Sequence, residues 1–215
     1  MALLDHLGFA RGVLVQGNAH GFDNSVLLDA LARYPHRLRG VAITEAGKPG
    51  YVRGVGLDVF EVFRAAMRDL GWVMQVFCDW RLMSELATVF HEISQEMPVV
   101  VDHMLHIPAA RGVDDANFQA LLRLVGDGYV HVKVSAPYRM SDRYPDYPDV
   151  RPFHDALLHA NPERLMWGTD WPHPSIPAAA MPDDGHLLDL FHEWTPDGHA
   201  RRRILVDTPA RLFGD

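Results

Sequence analysis

An α/β fold built on a parallel sheet is the class the sequence predicts, and three observations predict it. Strand-like and helix-like segments alternate along the chain with short connections, as repeated βαβ units require. The strand segments are near-continuous Val, Ile and Leu runs, the pattern expected when both faces of a sheet are covered. No Gly-rich phosphate fingerprint of the G-x-G-x-x-G or P-loop kind follows any of them, which argues against a nucleotide-binding doubly wound sheet. With 215 residues the chain is long enough for one sizeable core, and a single domain over residues 1–215 is expected.

Taken in order, Met1 to Leu7 reads as the tail of a helix, because no Ser, Thr, Asp or Asn caps it and Gly8 ends it. The chain is therefore expected to begin inside an element. Gly12 to Gln16 is a buried strand, and Asn24 to Tyr34 is a helix with Val26, Leu27, Ala30 and Leu31 on one face. Leu38 to Thr44 is the next strand, and a short one is expected at Tyr51 to Val55 after a Gly/Pro loop. Asp58 to Leu70 is an amphipathic helix closed by Gly71. Trp72 to Cys78 is a strand and Arg81 to Glu96 a helix. Pro98 to Val101 runs as a strand into Asp102-His103, and Asn117 to Val125 is helical, with Asp114 or Asp115 at its cap. Tyr129 to Ser135 is a strand, and Arg151 to Ala160 a helix with Pro152 in its first turn. Arg164 to Trp167 is the last strand. Helices over Asp184 to Glu193 and Asp197 to Val206, the latter running on toward Leu212, close the chain. An eight-stranded β/α barrel takes roughly 250 residues, so these seven strands make a short one.

Composition narrows the function. Twenty Lys and Arg face 28 Asp and Glu, a net charge of −8, which argues against a nucleic-acid or anionic-membrane surface. A local basic pocket for an acidic small molecule is still compatible with that balance. One cysteine, Cys78, rules out an intramolecular disulfide and suits a reducing, cytoplasmic compartment. No apolar run approaches a membrane span.

Chemistry is expected where apolar strands give way to polar residues. The run Leu165-Met166-Trp167 ends at Gly168-Thr169-Asp170, and Trp171-Pro172-His173-Pro174 follows at once. The two prolines forbid a central strand from continuing, so Asp170 falls at a strand's carboxyl end. It either caps the loop or serves catalysis. Gln16, Asp79, His103, Lys133 and Ser135 occupy comparable positions. Gln16 and Ser135 satisfy backbone groups or touch a ligand, and Asp79 caps the helix near Arg81 or joins the site. Lys133 points inward or snorkels out. His103 either bonds Asp102 or a carbonyl within the core, or acts on substrate. Tyr138-Arg139 is either a solvated loop pair or a grip for a carboxylate, which a guanidinium fork matches. His91, His154, His159, His186, His192 and His199 read as solvated helix-face or loop residues. His186 and His192 lack the i, i+4 spacing of a helical zinc pair.

Met166 to Pro174, with Val101-Asp102-His103-Met104 and Val132 to Arg139, resembles the amidohydrolase superfamily. More narrowly it is similar to the branch of 2-pyrone-4,6-dicarboxylate lactonases. The likeness extends to Arg11–Gln16, Arg39–Ala42 and Arg203–Leu212, in collinear order. It implies a (β/α)8 TIM-barrel-like fold with the active site at the carboxyl-end rim. Asp170 would then be the general base that activates water, and His103 would polarise the attacked carbonyl. Tyr138 and Arg139 would contact a carboxylate of a small anionic substrate, with Lys133, Ser135 and Gln16 completing the binding surface. The implied activity is hydrolysis of a carboxylate-bearing lactone. A metal-dependent decarboxylase of the same superfamily, and a catalytically inactive barrel fragment or assembly partner, are the alternatives.

The chain departs from the family's pattern in four places. The family's first strand carries a His-x-His pair that nothing here supplies, so the barrel is expected to be incomplete, lacking its first strand. The strand 4 region around Ala46 to Asp58, which bears an Arg in the family, is abbreviated to Gly47 through Gly56. After His103-Met104 comes Leu105-His106, where the family often has an Arg, and Thr208 stands where it often has Asn. A catalytic zinc takes three protein ligands and a water. His103 and Asp170 make two, and the lactonase branch is understood to work without metal, so no cofactor is expected, a weak divalent site such as zinc on His103 and Asp170 being the alternative. The strand edges left by an open barrel are expected to be covered by loops, paired across a homodimer or poorly ordered.

Overall fold

The computed structural model describes residues 1–17, 20–43 and 64–214, and every strand pairing among them is parallel. The chain is thus α/β, with helices between successive strands. The expected strand at Tyr51 to Val55, the shortened stretch from Gly47 to Gly56 and the first part of the Asp58 to Leu70 helix lie outside the described residues. Residues 64–69 are helical, and Gly71 ends them at φ +64°, a conformation glycine adopts without a Cβ clash. The chain forms two compact units, Met1–Trp72 and Val73–Asp215.

In the first unit, strands β1 (Gly12–Val15) and β2 (Leu38–Val41) pair in register from Gly12 opposite Leu38 to Val15 opposite Val41, joined through the helix Ser25–Arg33. That helix lies so close to β2 that a Cβ on Gly40 would come within 2.9 Å of Leu31 and 3.1 Å of Leu27. Asn24 ties the helix start to β2 by donating to the Ile43 carbonyl at 2.9 Å. The expectation of a buried first strand is corrected here. Leu14 is 37% and Val15 48% exposed, because among the described residues β1 has a hydrogen-bonded neighbour on one side only.

The second unit is a four-stranded sheet in the order β3 (Met74–Val76), β4 (Val99–Val101), β5 (Val130–Ser135), β6 (Leu165–Gly168). Sequence order and spatial order coincide, as in a barrel wall wound from successive βαβ units. All of β4 is buried, and the crossover helices Met83–Ser94, Ala116–Gly126 and Arg151–Ala160 turn Phe90, Ile93, Phe118, Leu121, Val125, Phe153 and Leu157 inward. Phe118 meets Phe153 edge to face at 4.8 Å between ring centres. Asp115, Asp183 and Asp197 cap their helices by accepting from Asn117, His186 and His199 backbone N–H groups. The closing helices are three segments: Gly198–Arg202 continues through a π-helical stretch, Arg203–Asp207, into Thr208–Phe213. Thr208 and Arg211 hold the carbonyl of Glu163, just before β6, at 3.1 and 2.7 Å. No helix among the described residues is long and apolar enough to cross a membrane.

Two details differ from expectation. β5 is not an apolar run: it reads Val-His-Val-Lys-Val-Ser, so Val130, Val132 and Val134 share one face and His131, Lys133 and Ser135 the other. His154 is not solvated. It is 2% exposed and its Nε2 lies 2.8 Å from the Thr195 hydroxyl, because its side of the helix Arg151–Ala160 packs under Phe191 and Trp194.

Burial pushes the imidazoles of His131 and His154 from an ordinary 6.5 down to about 4, with Arg164 adding to the effect at His131 and Arg151 at His154. Between those values the unfolded chain binds protons that the folded chain refuses. Stability from these two groups is therefore complete above pH 6.5 and is lost as the pH falls toward 4. Each is worth on the order of 3 kcal/mol over the window. The urea midpoint is expected to drop measurably between about pH 7 and about pH 4.5; a constant midpoint would contradict the buried neutral state.

Candidate active site

Because β3 to β6 are all parallel, their carboxyl ends lie along one edge of the sheet. The residues that follow β4, β5 and β6 turn sharply there. His103, Met104, Leu105 and His106 all have positive φ (52°, 50°, 66° and 40°), as do Ala136 (52°), Asp170 (61°), His173 (57°) and Ser175 (71°). A non-glycine residue in the left-handed region costs about 1–2 kcal/mol. Such strain, gathered along one edge, is characteristic of segments shaped for a site rather than for stability. Its effect is to fold side chains from three separate strand ends back over the same edge.

Asp170, after β6, is the centre of the cluster. Its Oδ2 accepts from the Tyr138 hydroxyl at 2.7 Å and from Arg139 Nε at 2.6 Å, both from the turn Pro137–Arg139 after β5. Its Oδ1 lies 3.6 Å from His103 Nε2, after β4. One carboxylate oxygen is thus saturated by donors while the other faces an imidazole. Burial, then the bond to Asp170 and its charge, push the Tyr138 phenol well above its ordinary value, so Tyr138 keeps its proton and stays a donor.

His103 is 9% exposed, and burial pushes it down to about 4 against the opposing pull of Asp102 and Asp170. It is neutral near pH 7, so one ring nitrogen carries hydrogen. Its Nδ1 is 2.8 Å from the Ser135 hydroxyl. A bare Nε2 would set a lone pair against the Asp170 carboxylate. The arrangement without that repulsion has Ser135 donating to Nδ1 and His103 carrying its hydrogen on Nε2, aimed toward Asp170. His103 is accordingly a neutral donor beside a carboxylate.

Lys133 turns inward: its Nζ is 2.9 Å from Asp102 Oδ1, and its side chain is 13% exposed. Asp102 also accepts from Gln75 Nε2 at 2.8 Å, so it pairs with Lys133 rather than with His103. Asp79 accepts from the Arg81 backbone N–H at 3.0 Å, the capping alternative. Gln16 belongs to the first unit, where its amide donates to the Asp23 carbonyl at 2.8 Å, which is the backbone-satisfying alternative. His173 received no role from sequence reasoning. It is 2% exposed, with Nδ1 at 2.9 Å from the Tyr138 hydroxyl and Nε2 at 3.4 Å from Asp184 Oδ1. Its place between two prolines, three residues past Asp170, was the available signal. Asp102 had one too, as the first polar residue after three valines.

Among the described residues no group of three or more His, Cys, Asp or Glu side chains is arranged to hold a metal ion. His103 and Asp170 offer two donors where a catalytic zinc takes three, and the Arg139 guanidinium already sits on the Asp170 carboxylate. This donor set does not fit a catalytic metal.

Known proteins are similar to this chain in sequence and in fold. The chain is 36% identical over 237 residues to a 4-sulfomuconolactone hydrolase of Rhizobium radiobacter, covering 100% of this chain and 79% of that protein. It is 34% identical to a 2-pyrone-4,6-dicarboxylate hydrolase of Comamonas testosteroni, covering 99% of this chain and 78% of that one. An apo crystal structure from Agrobacterium tumefaciens superposes with a TM-score of 0.85 at 28% identity, over 99% of this chain and 83% of the other. The fold is therefore that of the TIM-barrel amidohydrolases, although the described strands do not close into a barrel. The amidohydrolase family profile matches residues 49–214, and with these relatives it establishes that the chain belongs to the amidohydrolase family.

Proposed function

We propose that this protein is a hydrolase that opens a carboxylate-bearing lactone of the 2-pyrone-4,6-dicarboxylate kind, with Asp170 as the base and His103 as the hydrogen-bond donor to the carbonyl. The observation that carries the reading is the asymmetry of Asp170: Oδ2 takes two donors, while Oδ1 is left beside the neutral imidazole of His103. The names of the relatives, both lactone or pyrone hydrolases, support the substrate class.

In this reading a water between Asp170 Oδ1 and the lactone gives its proton to the carboxylate as its oxygen attacks the carbonyl carbon. Negative charge develops on the carbonyl oxygen, where the Nε2–H of His103 stabilises it. The ring C–O bond then breaks, and the proton held on Asp170 passes to the departing oxygen. Lys133 and the outer nitrogens of Arg139 supply positive charge for substrate carboxylates; Arg139 is held at Nε by Asp170, so its fork is oriented before substrate arrives. No step needs a metal, and none is proposed. A small anionic substrate is the partner this site suits.

The test is hydrolysis of 2-pyrone-4,6-dicarboxylate followed with and without chelator. Equal rates are expected in both, and Asp170→Asn is expected to lower kcat at least about 10³-fold. An Asp170→Asn enzyme at wild-type rate would overturn the base assignment, and loss of activity in chelator would overturn the metal-free reading. Ser135→Ala is expected to lower kcat about tenfold, because the His103 tautomer then loses the hydrogen bond that selects it. An unchanged kcat would show that Ser135 does not set that tautomer.

A further inference from the structure

Tyr138 makes two close polar contacts with one hydroxyl hydrogen. That hydrogen goes to Asp170 Oδ2 at 2.7 Å, so the 2.9 Å contact with His173 is satisfied only if Nδ1 of the imidazole carries hydrogen and donates to the phenol oxygen. The other ring nitrogen, Nε2, then faces Asp184 Oδ1 at 3.4 Å. Both of those atoms are buried and have no other hydrogen-bond partner. Without a proton between them, two sets of lone pairs would meet in a site closed to water, which is costly. The pair therefore holds one proton more than a neutral imidazole with Nδ1–H beside a carboxylate, whether that proton sits on Nε2 or on Asp184.

We infer that His173 and Asp184 are positioning residues for the base: together they retain a buried proton that obliges Tyr138 to donate to Asp170 rather than to His173. The two residues come from different elements, the loop after β6 and the first turn of the helix Asp184–Trp194, and they meet behind the reacting carboxylate. If the pair lost its proton, the neutral ring would be free to carry hydrogen on Nε2 toward the Asp184 carboxylate. Nδ1 would then compete for the Tyr138 hydrogen, and Asp170 Oδ2 would keep Arg139 alone. Burial of Asp184 favours a proton on it against the pull of His173, and the acidic neighbours Asp183 and Asp170 act in the same direction as burial. Tyr138 stays neutral between the pair and Asp170, and the Arg139 guanidinium is held on Asp170 Oδ2.

The inference deepens the lactonase reading and rests on it for its effect on rate, but its first test does not require turnover. In the full chain labelled with ¹⁵N-histidine, His173 Nδ1 is expected to be protonated near pH 7. A ring with hydrogen on Nε2 alone would overturn the inference even if the enzyme hydrolyses lactones. The second test is kinetic. Loss of the pair's proton at alkaline pH is expected to lower the wild-type kcat about tenfold with KM changed less than about twofold. Asp184→Asn keeps an N–H donor against Nε2 with no proton to lose, and is expected to match the wild-type kcat near pH 7 and to lack that alkaline fall. The same alkaline fall in Asp184→Asn, or a loss confined to KM, would overturn the positioning role. If no lactone is opened by the wild type while Nδ1 is found protonated, the substrate reading fails and the proton-holding pair stands.

Discussion

The site depends on how the two oxygens of Asp170 are occupied. A free carboxylate at a strand end can rotate and accept from any donor, and its two oxygens are equivalent. Here the phenol of Tyr138 and the guanidinium of Arg139 take Oδ2 at 2.7 and 2.6 Å, which fixes the plane of the carboxylate and leaves Oδ1 on the side of His103. Charge-assisted bonds of this length are stronger than neutral ones and resist rotation of the group. A carboxylate held this way would need no reorganisation to act as the proposed base when water arrives. The roles of Tyr138, His173 and Asp184 follow from this arrangement, because each restricts where the donor to Oδ2 can place its hydrogen.

The rest of the second unit is arranged to supply that edge. Parallel pairing puts every strand's carboxyl end on the same side, and the polar face of β5 places Lys133 and Ser135 beneath Asp102 and His103 respectively. The valines on its other face, with Phe118, Phe153 and Leu157 from the helices, provide the packed support. Left-handed backbone after β4, β5 and β6 then brings the turns back over the edge. Stability lies in the buried valines and helix faces, and strain lies where chemistry is proposed, a division expected when a site is held by a rigid scaffold.

Much of this was legible in the sequence, and the limits have physical causes. Alternation of strand and helix identified the α/β class, because apolar periodicity reports burial directly. The Trp-Gly-Thr-Asp-Trp-Pro-His-Pro stretch located Asp170, since prolines end a strand whatever its surroundings. Which partner each polar residue meets was not legible. His103 next to Asp102 suggested a local pair, yet Ser135, 32 residues away in sequence, is its partner at 2.8 Å, and Asp102 pairs with Lys133. Tyr138 and Arg139 read from sequence as either a solvated loop pair or a grip for a carboxylate, and nothing local tells that both also bond Asp170, through the phenol hydroxyl and Nε. His154 looked solvated because one polar residue on a helix says nothing about what packs over it; Thr195, 41 residues on, supplies its bond. Pairings between strand ends depend on register and turn geometry, neither of which is written in local composition.

The central claim, that Tyr138 acts on the reaction through Asp170 rather than by gripping substrate, is tested most directly by a double-mutant cycle on kcat. Tyr138→Phe is expected to slow the wild type about tenfold, yet to leave an Asp170→Asn enzyme no slower than it already is, since both changes remove the same oriented base. Equal losses in the two backgrounds would show that the phenol works independently of Asp170 and would contradict the account.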